Sequence, residues 1–376
     1  MTGRNHGASA ATRATVAIYE QRAGDWDEAR ATVDHKASKS FGRRATAAAR
    51  SGGLCGPVLD AGCGPGRQSG DLGRPVVALD AARSMLDLVA QHAPRALRVQ
   101  ADLTALPFRR HALRAAWASK SYVHLPATEV PLALHDLHRA LAVDSPIELV
   151  LFEGELEHGT FAHDDFPGRS FSCWPADLLR AVVTGAGFTV ERQDLQHTAE
   201  GFGHHVVRGT RARTLADTVG PAMRLLLVGL NPSVYSADVG AGFARPGNRF
   251  WPAALRAGIV TRARDPLDAL VSHGIGMTDV VKRATARADE LRPDEYRDGV
   301  ERLERLVAWL QPAAVCFIGL AGWRVAVDRK ATSGWQAHRV GGRPTYVMPN
   351  TSGLNASSSL ADLATHLETA AGPPPS

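Results

Sequence analysis

Apolar and polar positions settle into an alternation of two periods from about Pro57 onward. The run PVLDAG (57–62) is short, apolar and closed by a glycine turn, the pattern of a buried strand. GRPVVALD (73–80), RALRVQAD (95–102), AAWASK (115–120), PIELVLFEG (146–154) and TVERQDLQH (189–197) repeat it. Between them, ARSMLDLVAQHA (82–93) sets Met85, Leu86, Val89 and Ala90 at helical spacing, and VPLALHDLHRALA (130–142) and ADLLRAVVTGAGF (176–188) read as further helices. Strands alternating with helices predict a mostly parallel sheet. Ahead of them, an Ala/Arg/Thr-rich stretch contains one amphipathic segment around Val16 to Trp26.

The pattern fades over RARTLADTVGPA (211–222) and restarts at MRLLLVGLNP (223–232). Helices are expected at about 249–257, 293–310, 321–328 and 359–370, and strands at AAVCFIG (313–319) and PTYVMPN (344–350). The expected fold class is α/β in two domains, residues 1–213 and 223–376, joined by a linker at 214–222. A length of 376 residues, too long for one ordinary domain, agrees.

Composition narrows the function only at its edges. No stretch of eighteen apolar residues occurs, so no transmembrane helix is expected, and the polar N-terminus lacks the apolar core of a secretory signal. Four cysteines, Cys55, Cys63, Cys173 and Cys316, fit a cytoplasmic protein, and with no CxxC pair and no histidine cluster they predict no metal site. The net charge of +5 permits a polyanionic partner. Residues 223–376 hold 18 Lys and Arg against 14 Asp and Glu, so most of that surplus lies in the second half. Arg245, Arg249, Lys282, Arg283 and Arg287 are its candidate phosphate contacts.

Two segments carry chemistry. VLDAGCGPGR ends the first strand with Asp60, Gly62, Gly64 and Gly66, where absent side chains let backbone approach a ligand, and Asp80 ends the next strand where a carboxylate can accept both hydroxyls of a ribose. DAGCGPG, LDAARSML, ADLTALPF, WASKSYVHLP and WPADLLRAVVTGAGF together resemble class I S-adenosylmethionine-dependent methyltransferases over about residues 15–213. The resemblance implies a Rossmann-like sheet. It implies S-adenosylmethionine as cofactor, with Gly62, Gly64 and Gly66 along its methionine part, Asp80 on the ribose and Asp102 at the adenine edge. HALRAAWAS and AVDSP depart from the family's usual Asp and RPGG-like turn. Neither a DPPY-like tetrapeptide nor a Pro-Cys nucleophile is present, so this half does not look like a DNA base methyltransferase, and its acceptor is a small molecule or unknown. His124 and Glu153 are each either a base or an ordinary loop polar.

The second segment is discontinuous. GLNPS (229–233), GFARPGNRFWPA (242–253) and MPNTSGLNA (348–356), with GIGMTDVVKRATARADEL between, resemble the mismatch-specific uracil- and thymine-DNA glycosylases over about residues 223–370. That implies a three-layer αβα domain acting on double-stranded DNA with uracil or thymine mismatched to guanine, and no cofactor. Asn231 would be catalytic. An amide has no useful basicity near neutral pH, so Asn231 can only orient a water. Phe243 would stack on the extruded base, and Gly353, Leu354 and Asn355 would form the loop that fills the gap, with Asn350 and Ser352 beside it. Arg249 and Trp251 are expected to hold that loop. Ser233 stands where narrow uracil enzymes place a blocking Tyr, so bulky pyrimidines such as thymine or etheno-cytosine should be tolerated. Relatives usually have Gly at Ser233 and Pro at Thr351. No lysine lies in either motif loop, so a Schiff-base lyase step is not expected. Two other readings make the chain primarily a methyltransferase with a DNA-targeting module, or make its first half a non-catalytic cofactor sensor.

Overall fold

The computed structural model describes residues 10–198, 201–353, 355 and 357–373. They fall into two compact units. One runs to Arg180 and resumes over Phe188–Ala212; the other takes Ala181–Gly187 and the chain from Arg213.

The first unit is built on β1 (Val58–Ala61), β2 (Val76–Asp80), β3 (Leu97–Gln100), β4 (Ala115–Ser119), β5 (Pro146–Glu153), the two-residue β6 (Cys173–Trp174), β7 (Phe188–His197) and β8 (Gly203–Arg211). Their order is β3-β2-β1-β4-β5-β8-β7, with β6 paired to β5. Strands β1 to β5 are parallel, β8 runs antiparallel to β5, and β7 antiparallel to β8. Central strands covered on both faces need apolar side chains at every position, which is why β1, β2 and β4 read as continuous apolar runs. Strand β8 (GHHVVRGTR) has no such run and escapes sequence reading. The amphipathic segment at Val16 to Trp26 spans two helices, Ala10–Gln21 and Ala23–Ala29, whose Val16, Tyr19, Ala23 and Trp26 pack against Ala82 and Met85. The helix Lys36–Gly52 was not anticipated.

The second unit has β9 (Leu225–Gly229), β10 (Ile275–Asp279), β11 (Val315–Ile318), β12 (Gly334–Trp335) and β13 (Thr345–Met348) in the order β10-β9-β11-β13-β12, all parallel except β12. Leu225, Leu227, Cys316, Ile318, Tyr346 and Met348 share one face with helices Phe250–Arg256 and Leu360–Ala371. On the other face Phe317 meets Trp323 of helix Leu320–Ala326 at 4.8 Å. Helix Pro293–Leu310 approaches the end of β10 at Gly299, where a Cβ would stand 2.3 Å from the Val280 carbonyl oxygen. Helices on both faces make three layers.

Residues 214–222, expected as a linker, are packed instead. Thr214, Asp217, Thr218 and Val219 are buried, and Thr218 and Met277 exchange backbone hydrogen bonds of 2.8 Å along the free edge of β10. Asp217 holds the segment down through ion pairs to Lys282 (2.7 Å) and Arg302 (2.8 Å). No apolar period announces this because the anchoring is ionic.

Candidate active sites

The turn after β1 forms one wall of a cavity of about 1180 Å³. Gly62 and Gly64 have φ of 71° and 54°, and a Cβ on Gly62 would lie 2.3 Å from Ser121 Cβ, so glycine alone fits there. The missing side chain of Gly66 lets Val89 of helix Arg83–His92 pack on the loop, where a Cβ would meet Val89 Cγ2 at 2.8 Å.

Asp60, Asp80 and Asp102 all line the cavity. Asp80 accepts backbone hydrogen bonds from Gly64 N on Oδ2 and Ala82 N on Oδ1, both 2.9 Å, which leaves lone pairs on each oxygen for a ligand. Asp102 spends Oδ1 on Thr104 N and Oγ1, each at 2.8 Å. Asp60 is buried, accepts from Ser69 Oγ at 2.6 Å, and is pushed up to about 7 chiefly by burial. Backbone with no room for a Cβ, followed by carboxylates with unspent lone pairs, fits a nucleoside ligand.

His124 is not available as a base. His124 places Nδ1 3.0 Å from the Ser170 carbonyl, which can only accept, so Nδ1 carries the proton and Nε2 accepts from Tyr19 Oη at 2.8 Å. Burial pulls His124 down to about 4, so it stays neutral. Glu153 is exposed and off the cavity wall.

In the second unit the C-terminal ends of β9, β11 and β13 lie side by side and deliver Asn231, Gly319 and Asn350 to one edge of the sheet. Asn231 is half-buried. Its Nδ2 donates to Thr285 Oγ1 (2.8 Å), Arg283 O (3.0 Å) and Pro232 O (3.3 Å). Two of these are carbonyls and cannot donate, so the amide cannot be flipped, and Oδ1 is the atom it presents. The clamp comes from the segment after β10, which pairs with the Asn231 loop through the Ser233 and Thr285 bridge. Ser233 is also the N-cap of helix Val234–Val239, its Oγ accepting from Ser236 N. Phe243 sits half-buried at φ 56°, an uncommon conformation for a bulky residue, with its ring stacked on Phe250 at 4.3 Å.

Asn350 caps its own loop, with Oδ1 accepting from Ser352 N at 2.8 Å and its carbonyl from Asn355 Nδ2 at 2.7 Å. Gly353 packs on the Gly247 carbonyl, where a Cβ would stand 2.7 Å away. Leu354 lies outside the described residues. Arg249 donates to the carbonyls of Ser352, Asn355 and Ser358, and Trp251 Nε1 to Gly242 O at 2.8 Å, so both hold loops. Four of the five candidate phosphate contacts have partners within the protein. Arg249 is taken as above, Lys282 pairs with Asp217, Arg283 with Glu295, and Arg287 with Asp289. Arg245, Arg283 and Arg287 are all exposed, the last two in surface ion pairs.

Sequence reasoning missed Asp279. It ends β10 in register with Gly229, and a Cβ on Gly229 would stand 2.4 Å from its Oδ1. Burial, opposed by Lys282, pushes its carboxyl up to about 6. A carboxyl with a raised folded pKa holds its proton more tightly when folded, so the protein loses stability as pH climbs from the unfolded value near ~4 to about 6. Asp279→Asn should therefore melt higher than the parent by a margin that grows across that window and is flat above it. Thermal melts from pH 4 to 8 check this; a constant margin would refute it.

Two family models match the chain, uracil DNA glycosylase superfamily over residues 216–370 and methyltransferase domain over residues 58–144. The chain joins a methyltransferase domain to a uracil DNA glycosylase superfamily domain. Among solved structures, it is similar to the Burkholderia thailandensis 1,6-didemethyltoxoflavin-N1-methyltransferase, crystallised with S-adenosylhomocysteine, at 18% identity and TM-score 0.42, covering 55% of this chain and 92% of that one. It is also similar to the magnesium protoporphyrin IX methyltransferase of Synechocystis PCC 6803, at 18% identity and TM-score 0.42, covering 54% and 100%. The methyltransferase domain has the Rossmann-like strand order described above, and the glycosylase domain the five-stranded sheet. Among the described residues, no helix is long and apolar enough to cross a membrane.

Proposed function

We propose that the glycosylase domain hydrolyses the N-glycosidic bond of uracil, and of thymine or etheno-cytosine opposite guanine, in double-stranded DNA. The observation that carries this is the Asn231 amide, whose nitrogen is committed to acceptor groups so that Oδ1 can accept a hydrogen bond from one water and aim it at the sugar carbon. The base would be flipped out to reach it, with Phe243 stacking on it and the 353–355 loop entering the gap, and the departing base would rely on backbone donors for its charge. Ser233 is small and already engaged as a helix cap, which leaves room for a 5-substituent. Incubation with labelled U·G, T·G and etheno-C·G duplexes, followed by alkaline cleavage of abasic sites, should yield strand breaks with each; no break with any would sink the proposal. Thr285→Val removes one leg of the clamp and should lower kcat for uracil release about tenfold with KM nearly unchanged, because a misaimed water affects the transition state and not DNA binding.

The methyltransferase domain is inferred to bind S-adenosylmethionine, which when bound supplies an electrophilic methyl group. Gly62 and Gly64 would lie along its methionine part, Asp80 would accept the ribose hydroxyls, and Asp102 would meet the adenine edge. S-adenosylmethionine should raise the melting temperature of the parent chain. Gly62→Ala should abolish that shift, since the new Cβ collides with Ser121 and strains the turn.

A further inference from the structure

The cavity of the methyltransferase domain is larger than the cofactor residues need. Pockets for a single drug-sized ligand run to roughly 300–1,000 Å³, and this one is about 1180 Å³. Gly62, Asp80 and Asp102 stand at the C-terminal ends of β1, β2 and β3, on one side of β4. Across β4, the same cavity is walled by Phe152 at the end of β5, Phe161 and Phe171 from the segment before β6, and Phe202 just before β8. Phe161 and Phe171 stack at 4.6 Å and 22°. Phe202 stands edge-on to Phe152 and to Phe161, with ring centroids 5.0 Å apart in each pair. Phe202 is 38% exposed, and Phe152 and Phe161 are only half-buried, so this cluster is not closed core.

Three of the cationic or basic groups beside these rings, Arg169, Arg30 and His124, are satisfied within the protein, while Lys120 and His163 also line the cavity. Arg169 forms an ion pair with Asp164 and donates to Tyr19 Oη at 2.8 Å, Arg30 pairs with Asp165, and His124 is neutral with both nitrogens occupied. A nucleic acid needs cations for its phosphates and hydrogen-bonding groups for its base edges, and phenyl rings offer neither. Flat apolar walls suit a flat apolar guest.

We propose that the methyl acceptor is a planar, uncharged aromatic small molecule bearing its own acidic hydroxyl, bound against the wall formed by the Phe152, Phe161, Phe171 and Phe202 cluster. This rests on the reading that the domain binds S-adenosylmethionine. With His124 locked, the acceptor gives its hydroxyl proton to solvent, its oxygen bonds the methyl carbon as the carbon–sulfonium bond breaks, and S-adenosylhomocysteine is left.

The test uses the full chain, with S-adenosylhomocysteine binding measured by calorimetry and 2-naphthol binding by its fluorescence, challenged with cyclohexanol or a single-stranded oligonucleotide. Saturable 2-naphthol binding that neither competitor displaces is expected. Phe161→Ala and Phe202→Ala should each weaken it about fivefold or more while shifting S-adenosylhomocysteine affinity less than about twofold. No 2-naphthol binding by a chain that binds S-adenosylhomocysteine overturns the proposal, as does displacement by the oligonucleotide. Binding of 2-naphthol without S-adenosylhomocysteine would instead defeat the cofactor reading and leave the aromatic site standing; binding of neither defeats both.

Discussion

Asn231→Ala should lower single-turnover release of uracil from a U·G duplex by about a hundredfold or more, with DNA affinity little changed. The alanine removes the Oδ1 proposed to hold the water and leaves a methyl group in its place. Asn231→Asp sharpens the point. A carboxylate would set an oxygen against the carbonyls of Arg283 and Pro232, where the parent sets an N–H donor. Two acceptors facing each other repel, so the substitution should also slow the reaction near neutral pH, although an aspartate is the better base in isolation. Gel assays of abasic-site formation under enzyme excess measure both. Parental rates for Asn231→Ala would remove Asn231 from the chemistry.

Asp217→Ala should cost the glycosylase domain about 3–5 kcal/mol, since it leaves Lys282 and Arg302 buried without their counter-ion. Burial by itself would raise the Asp217 carboxyl; Arg302 and Lys282 override that and hold it below the ordinary carboxylate range. A group depressed in this way contributes stability that is present above its unfolded pKa and lost as pH falls through its folded value. The melting difference between parent and Asp217→Ala should therefore be largest near neutral pH and shrink in acid. Calorimetric melts at both ends check this, and adding Lys282→Met should recover part of the loss by removing one stranded charge. The substitution should also slow excision. Lys282 begins the turn that carries the Arg283 carbonyl and Thr285, the two longest-range contacts on Asn231.

The lever between these two effects shows which parts of the molecule are legible in one dimension. Strands β1, β2, β4, β5, β9, β11 and β13 could be read because buried parallel strands must be apolar throughout. Strands β8 and β10 could not, because His, Arg, Gly, Thr and Asp occupy them, and their place in the sheet is settled by neighbouring strands. Arg249 could be assigned to the loop from its motif, and its guanidinium does hold the carbonyls of Ser352, Asn355 and Ser358. The charges of Lys282, Arg283 and Arg287 are visible in the sequence, while their partners Asp217, Glu295 and Asp289 are not.

The sequence by itself determined that two α/β domains follow one another and that Gly62, Gly64, Asp80, Asn231 and Asn350 end their strands, since strand periodicity and glycine turns are local properties of the chain. Tertiary structure alone decided which atom of Asn231 faces outward, through partners 52 and 54 positions away. It also packed Val89 against Gly66, silenced His124, and gathered four phenylalanines from three separate segments into one wall. Each of these depends on a pairing between distant residues, and a hydrogen bond or a ring contact has no period along the chain to reveal it.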